Sequence, residues 1–106
     1  FAEDGEFLRA MFVATFEAVK STSPLRPRVQ AWLKRGIDKV EAGLRRGVRD
    51  GSVRADTDID RATADLSAAI FGSAYLWTVG GQSYDLDREL RYVRDRFIRD
   101  YGSPPH

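Results

Sequence analysis

Apolar residues recur three and four positions apart along most of this 106-residue chain, the period of an α-helix that turns one face inward. The first such segment runs from about Asp4 to Lys20. Leu8, Met11, Phe12, Thr15, Phe16 and Val19 share its inner face, opposite Glu6, Arg9, Glu17 and Lys20. A second, from about Pro27 to Asp50, aligns Val29, Leu33, Gly36, Ile37, Val40, Leu44, Gly47 and Val48. A third spans about Asp58 to Val79 and a fourth about Asp85 to Tyr101. No stretch shows sustained strand alternation, and no Asn-Gly or Asp-Gly turn joins two β-type runs. The pattern predicts an all-α domain of four helices.

The connections agree with that division. Pro24 and Pro27 in STSPLRP interrupt a helix interior but are tolerated in a first turn. Between the second and third helices lies GVRDGSVRADTDIDRATADL, with Asp56, Asp58 and Asp60 alternating. A calcium loop opening at Asp56 needs glycine at its sixth position and a bidentate Glu at its twelfth. Arg61 and Ser67 stand there, so a metal is not expected. Punctuation explains the stretch better. Gly51 suits the left-handed residue that ends a helix, and the chain then extends through Val53. Asp58, with Thr57 as competitor, caps the next helix, and Asp60 meets the positive end of its dipole.

The third helix is apolar on two sides. Ile59, Ala62, Leu66, Ala69, Ile70, Ser73, Leu76 and Trp77 form one face, and Ala64, Ala68, Phe71, Tyr75 and Val79 lie nearly opposite. A surface helix in a small bundle needs one apolar face, so this one calls for cover that three other helices cannot easily supply. Gly72 and its small neighbours would let another helix come close. The fourth helix carries a narrow seam of Leu86, Leu90, Val93, Phe97 and Tyr101, spaced like a coiled-coil edge. Asp87 with Arg91, and Asp95 with Arg99, keep its other side in water. Both features point to self-association. The uncharged run from Leu66 to Tyr84 is long enough for a membrane span, but Ser67, Gly72, Ser73, Thr78, Gly80, Gly81, Gln82 and Ser83 make it too polar.

Composition narrows the chemistry. A net charge of +1 gives no overall drive toward nucleic acid or anionic membrane. Arg28, Arg35, Lys39 and Arg46 align on the second helix, but Asp38 and Glu41 interrupt them and no aromatic residue interleaves to stack bases. With no cysteine there is no disulfide or thiolate site, which fits a cytoplasmic protein. The single histidine is His106, in the tail GSPPH that is expected to fray, so no histidine triad or zinc site can be assembled. Gly80-Gly81 lacks the Lys and Ser/Thr of a phosphate loop. Neither an enzyme nor a cofactor is expected. The aromatics are core formers first; as a pocket they would need a few polar groups, which Thr15, Ser73 and Tyr75 could provide.

The run LRRGVRDGSVRADTDIDRATADLSAAIFG resembles the centre of the C-terminal domain of TetR-type transcriptional regulators. In that family a long helix ends in a G-x-[LIV]-R-x-D link, followed by an aspartate cap and an alanine-rich helix with a glycine at its middle. Gly51, Val53, Arg54, Asp56, Asp58, Ala62, Ala64 and Gly72 fill those places, and SPLRPRV is similar to the turn before the long helix. Ile59 stands where the family carries proline. The resemblance implies a four-helix antiparallel bundle-like domain over residues 1–106 that dimerises through its last two helices. It implies the ligand-sensing and dimerisation part of a bacterial repressor, with operator DNA bound only through an N-terminal helix-turn-helix domain that nothing before Phe1 supplies. Together with the periodicity it places a small apolar effector among Met11, Phe12, Thr15, Phe16, Trp32, Ser73 and Trp77. The homodimer interface is expected at Ala64, Ala68, Phe71, Gly72, Tyr75 and Val79, with Leu86, Leu90, Val93 and Phe97 shared between core and interface. A constitutive dimerisation module with no ligand is the alternative.

Overall fold

The computed structural model describes residues 2–20, 22–80 and 83–104, with side chains from Gly5 onward. Of the residues named above, Phe1, Gly81, Gln82 and His106 lie outside them, as do Ser21 of the first turn and Pro105 of the tail. The fold is all-α, with four helices: α1 (Ala2–Glu17), α2 (Arg26–Asp50), α3 (Ile59–Gly80) and α4 (Leu86–Tyr101). α3 is the hub and packs against each of the others; α1 also meets α2, whereas α4 meets only α3 among the described residues.

α1 ends three residues short of the expected Lys20, and the turn after it shows why. The Arg26 guanidinium donates to the carbonyls of Ala18 and Val19, at 3.2 and 3.4 Å. The orphan acceptors at the helix end are satisfied from outside rather than by a further turn. Ser23, buried, folds the chain back by accepting from the Leu25 N–H at 3.2 Å. Pro27 then occupies the first turn of α2, where its missing N–H costs nothing.

The link between α2 and α3 works as a latch. Gly51 takes φ +89°, which only glycine adopts freely, and its N–H bonds to Val48 O. Ser52 donates twice to Asp50 Oδ1, from its N–H at 2.9 Å and its hydroxyl at 2.7 Å, which holds the Asp50 carboxyl below its usual range. Val53 turns inward onto Gly47, where an added Cβ would come within 2.5 Å of Val53 Cγ2. α2 therefore carries glycine at that point because the link crosses it closely. Val53 and Gly102 form an antiparallel bridge. Arg54 N donates to Tyr101 O at 2.9 Å and Ser103 N to Ser52 O at 3.0 Å. The Arg54 guanidinium bonds the Asp100 carbonyl, a cation placed at the negative end of α4. α4, which has one helical neighbour among the described residues, is thereby pinned at its C-terminus to the link that leads into α3.

Asp58 caps α3 by accepting from Arg61 N at 3.1 Å, and Asp85 caps α4 by accepting from Arg88 N at 3.0 Å. Asp58→Ala should cost about 1 kcal/mol of stability. Thermal melting with and without calcium checks the reading: a calcium-dependent rise in midpoint would show that the aspartates hold a cation as well.

The chain is a slab of 49 × 32 × 19 Å, two helix diameters thick. Its radius of gyration is 15.7 Å, against about 13 Å for a compact domain of this length. It exposes 7754 Å², about 1,800 Å² more than a compact monomer of its mass. The best-buried apolar residues are Phe12, Ala18, Val29, Leu44, Val53, Ala62 and Val93. No large side chain among the described residues is fully enclosed.

Candidate functional site

Five aromatic rings run through the slab. Phe16 meets Tyr75, Tyr75 meets Phe12, Phe12 meets Phe71 and Phe71 meets Trp32, all edge-on with centroids 5.1–5.6 Å apart, the arrangement ring quadrupoles favour. The Trp32–Phe71 contact opens into a groove of about 820 Å³ between α2 and α3. Trp32, Leu33, Ile37 and Val40 form the α2 wall, and Ala64, Ala68, Ile70 and Phe71 the α3 wall. The two helices run antiparallel, since Gly47 of α2 meets the link at one end while Trp32 meets Phe71 toward the other. At Gly36 an added Cβ would meet nothing within 4 Å, which widens the groove midway.

The polar groups at this groove are few and unequal. Glu41 is engaged by Arg45 at 3.6 Å. Arg35 and Lys39, one turn apart on α2, also line it and make no ion pair among the described residues. Across from them, Thr63 and Ser67 of α3 line the groove with buried hydroxyls that have no hydrogen-bond partner among the described residues. A buried hydroxyl left so costs about 1–3 kcal/mol; both oxygens are closed to solvent, so an acceptor in the groove reaches them only if the α3 wall shifts. In sequence these two positions read only as small residues on an alanine-rich helix. The signal that could have found them is that a Thr and a Ser one turn apart face α2 rather than water.

Trp32 alone of the expected effector-binding residues lines the groove. Phe12, 4% exposed, lies one ring away behind Phe71. Phe16 is 57% exposed at the far end of the ring series. The Thr15 hydroxyl donates to Met11 O at 2.7 Å within α1, so it is already satisfied. Trp77 packs over Gly5, where an added Cβ would come within 3.2 Å of its ring, and Ser73 is buried.

The expected interface residues divide. Phe71 and Tyr75 turn their rings toward α1 and α2. Ala64 and Ala68 are exposed on the groove wall. The Cβ direction of Gly72 is open, and Val79 is 60% exposed. Leu76, one turn past Gly72 on the same flank, is exposed too. On α4, Val93 is buried, while Leu86, Leu90 and Phe97 are half-buried. α3 and α4 are antiparallel, as the Tyr101 hydroxyl near the end of α4 donates to Asp65 Oδ2 near the start of α3 at 2.9 Å. Asp65 is held on its other oxygen by Arg61 at 2.8 Å.

That contact sets a pH limit. The hydrogen bond to Asp65, then desolvation and the Asp65 charge, raise the Tyr101 hydroxyl above its ordinary value of 10.0, with Arg61 opposing. A raised folded value means stability fully present below the unfolded value and lost as pH rises through the folded one. The melting midpoint should therefore fall as pH is raised past about 10. Tyr101→Phe should remove that component of the fall; equal slopes in both proteins would show that Tyr101 does not report on the α3–α4 contact.

No group of three or more His, Cys, Asp or Glu among the described residues is placed to hold a metal. No helix among them is long and apolar enough to cross a membrane. No family model, curated protein or solved structure matches the chain.

Proposed function

We propose that the chain is the ligand-sensing and homodimerisation domain of a TetR-like transcriptional repressor of the cytoplasm. A small, largely apolar effector would enter the α2–α3 groove and shift the relation of two subunits. In a regulator of that design the shift changes the spacing of the DNA-binding heads, which belong to a separate helix-turn-helix module. The observation that carries the reading is the double duty of α3. Its Ala64, Ala68 and Phe71 border the groove, while the adjoining flank at Gly72, Leu76 and Val79 is uncovered. A helix that moves to admit a ligand on one side moves the surface on the other.

The extra exposed area supports the dimer. A standard interface buries about 800 Å² per partner, less than the surplus of the slab. Sedimentation velocity at micromolar concentration and thermal melting against a library of apolar small molecules test the two halves. A native-state ligand raises the midpoint. A dimer that no compound stabilises would favour the constitutive dimerisation module, and a monomer that none stabilises would remove both readings.

A further inference from the structure

We propose that the α2–α3 groove is built for an amphipathic anion, a carboxylate on an apolar body, rather than for a neutral apolar molecule. This rests on the reading of the groove as a small-molecule site and specifies what that site selects. Because α2 and α3 run antiparallel in register with the Trp32–Phe71 contact, Arg35 and Lys39 stand opposite the stretch of α3 that holds Thr63 and Ser67. Four polar groups therefore lie along facing stretches of a groove whose other lining residues are largely apolar, apart from Glu41 and Asp60. Two are cations without an ion-pair partner among the described residues. The other two are buried hydroxyls without a hydrogen-bond partner among them.

A carboxylate matches the cations directly, and meets the hydroxyls once a shift of the α3 wall uncovers them. Its two oxygens accept from hydroxyls and from ammonium or guanidinium groups alike, while an alcohol or hydrocarbon leaves the cations unmatched. Trp32 and Phe71 sit one to two turns along from the four polar groups, so the apolar body lies against their rings. Two acidic residues share the groove, and the cation pair must outweigh them. Glu41 is held by Arg45 at 3.6 Å, whereas Asp60, in the first turn of α3, makes no ion pair among the described residues and stands one turn before Thr63. The neighbouring cation Lys34 is taken by Asp38 at 2.8 Å, which leaves Arg35 and Lys39 as the basic pair on this wall.

Decanoate and decanol, each below its aggregation threshold, provide matched probes of equal chain length. Calorimetric titration of the intact chain should give decanoate about tenfold tighter binding than decanol, the sum of two exposed charge contacts. The double variant Arg35→Gln/Lys39→Gln should erase that preference by weakening decanoate far more than decanol. Rising salt should narrow it in the unmutated chain, because exposed charges are screened. Thr63→Val should weaken decanoate binding while leaving the ligand-free melting midpoint level or higher, since an orphaned hydroxyl is removed. A merely structural threonine would lower that midpoint. Equal binding of the two probes, or a preference that survives the double variant, overturns the anion and leaves the small-molecule groove standing. Binding of neither probe, with an unmutated melting curve, overturns the groove as a site and this inference with it.

Discussion

Replacing Phe12 with alanine should destabilise the chain by about 3–5 kcal/mol, the range for removing a buried aromatic ring. Phe12 is the largest of the best-buried residues, and it joins Phe71 and Tyr75 at 5.1 and 5.4 Å. Among the described residues α1 neighbours only α2 and α3, and this ring ties it to the hub at two points. The space left behind cannot collapse cheaply, because α3 is also held by α2 and, through the latch, by α4. Domains of this size have about 5–15 kcal/mol in total, so the loss would be a large fraction of it. Urea unfolding of the variant measures the change as a lower midpoint at similar slope. Phe16→Ala is the comparison, since Phe16 contacts Tyr75 but is mostly exposed; it should cost well under half as much. Equal losses at the two positions would mean that the ring series is not buried where it meets α3.

The helices were legible because the period of the apolar residues and the local chemistry of the breaks say the same thing. Gly51 with its left-handed φ and Asp58 with its bond to Arg61 N are determined within a few residues of chain, so sequence spacing suffices. The end of α1 was not legible in that way. It depends on Arg26, eight residues beyond Ala18, and apolar spacing carries no information about a distant guanidinium. The groove was legible at Trp32 and hidden elsewhere. Phe12 and Phe16 lie on the apolar stripe of α1 and Trp32 beside that of α2, but which rings meet and which border a space depends on how α1 crosses α3. That crossing leaves Phe12 behind Phe71 and Phe16 at the edge. Phe71 and Tyr75 share a face of α3 with Ala64 and Ala68, and periodicity cannot separate them. Length does: the long rings reach α1 and α2 while the alanines stop at the groove wall.

Gly72→Leu should weaken self-association without weakening the monomer fold. The reason lies in the contrast with Gly47, whose missing Cβ is required by Val53 at 2.5 Å. At Gly72 an added Cβ meets nothing within 4 Å, so no neighbour in the chain demands glycine there. Within an isolated helix the substitution is favourable by roughly 0.5–1 kcal/mol, since glycine is the poorer helix former. The monomer should therefore melt at the same temperature or slightly higher. A close helix from a second copy would feel the opposite effect. With Leu76 and Val79 one and two turns after it, both exposed, Gly72 would be the point of nearest approach on that flank. A leucine there overpacks it, at about 1–3 kcal/mol per affected site. Around a two-fold axis the same residue occurs on both sides. The dissociation constant should rise by about fivefold to 140-fold for a single site, and by more if both copies clash. Sedimentation velocity over a dilution series reads this directly, with melting of the dilute protein as the control. An unchanged dissociation constant would move the interface off this flank of α3, and a monomeric unmutated chain at micromolar concentration would remove the dimer itself. A variant that loses both association and monomer stability would mean that Gly72 is packed within the chain, contrary to its open surroundings.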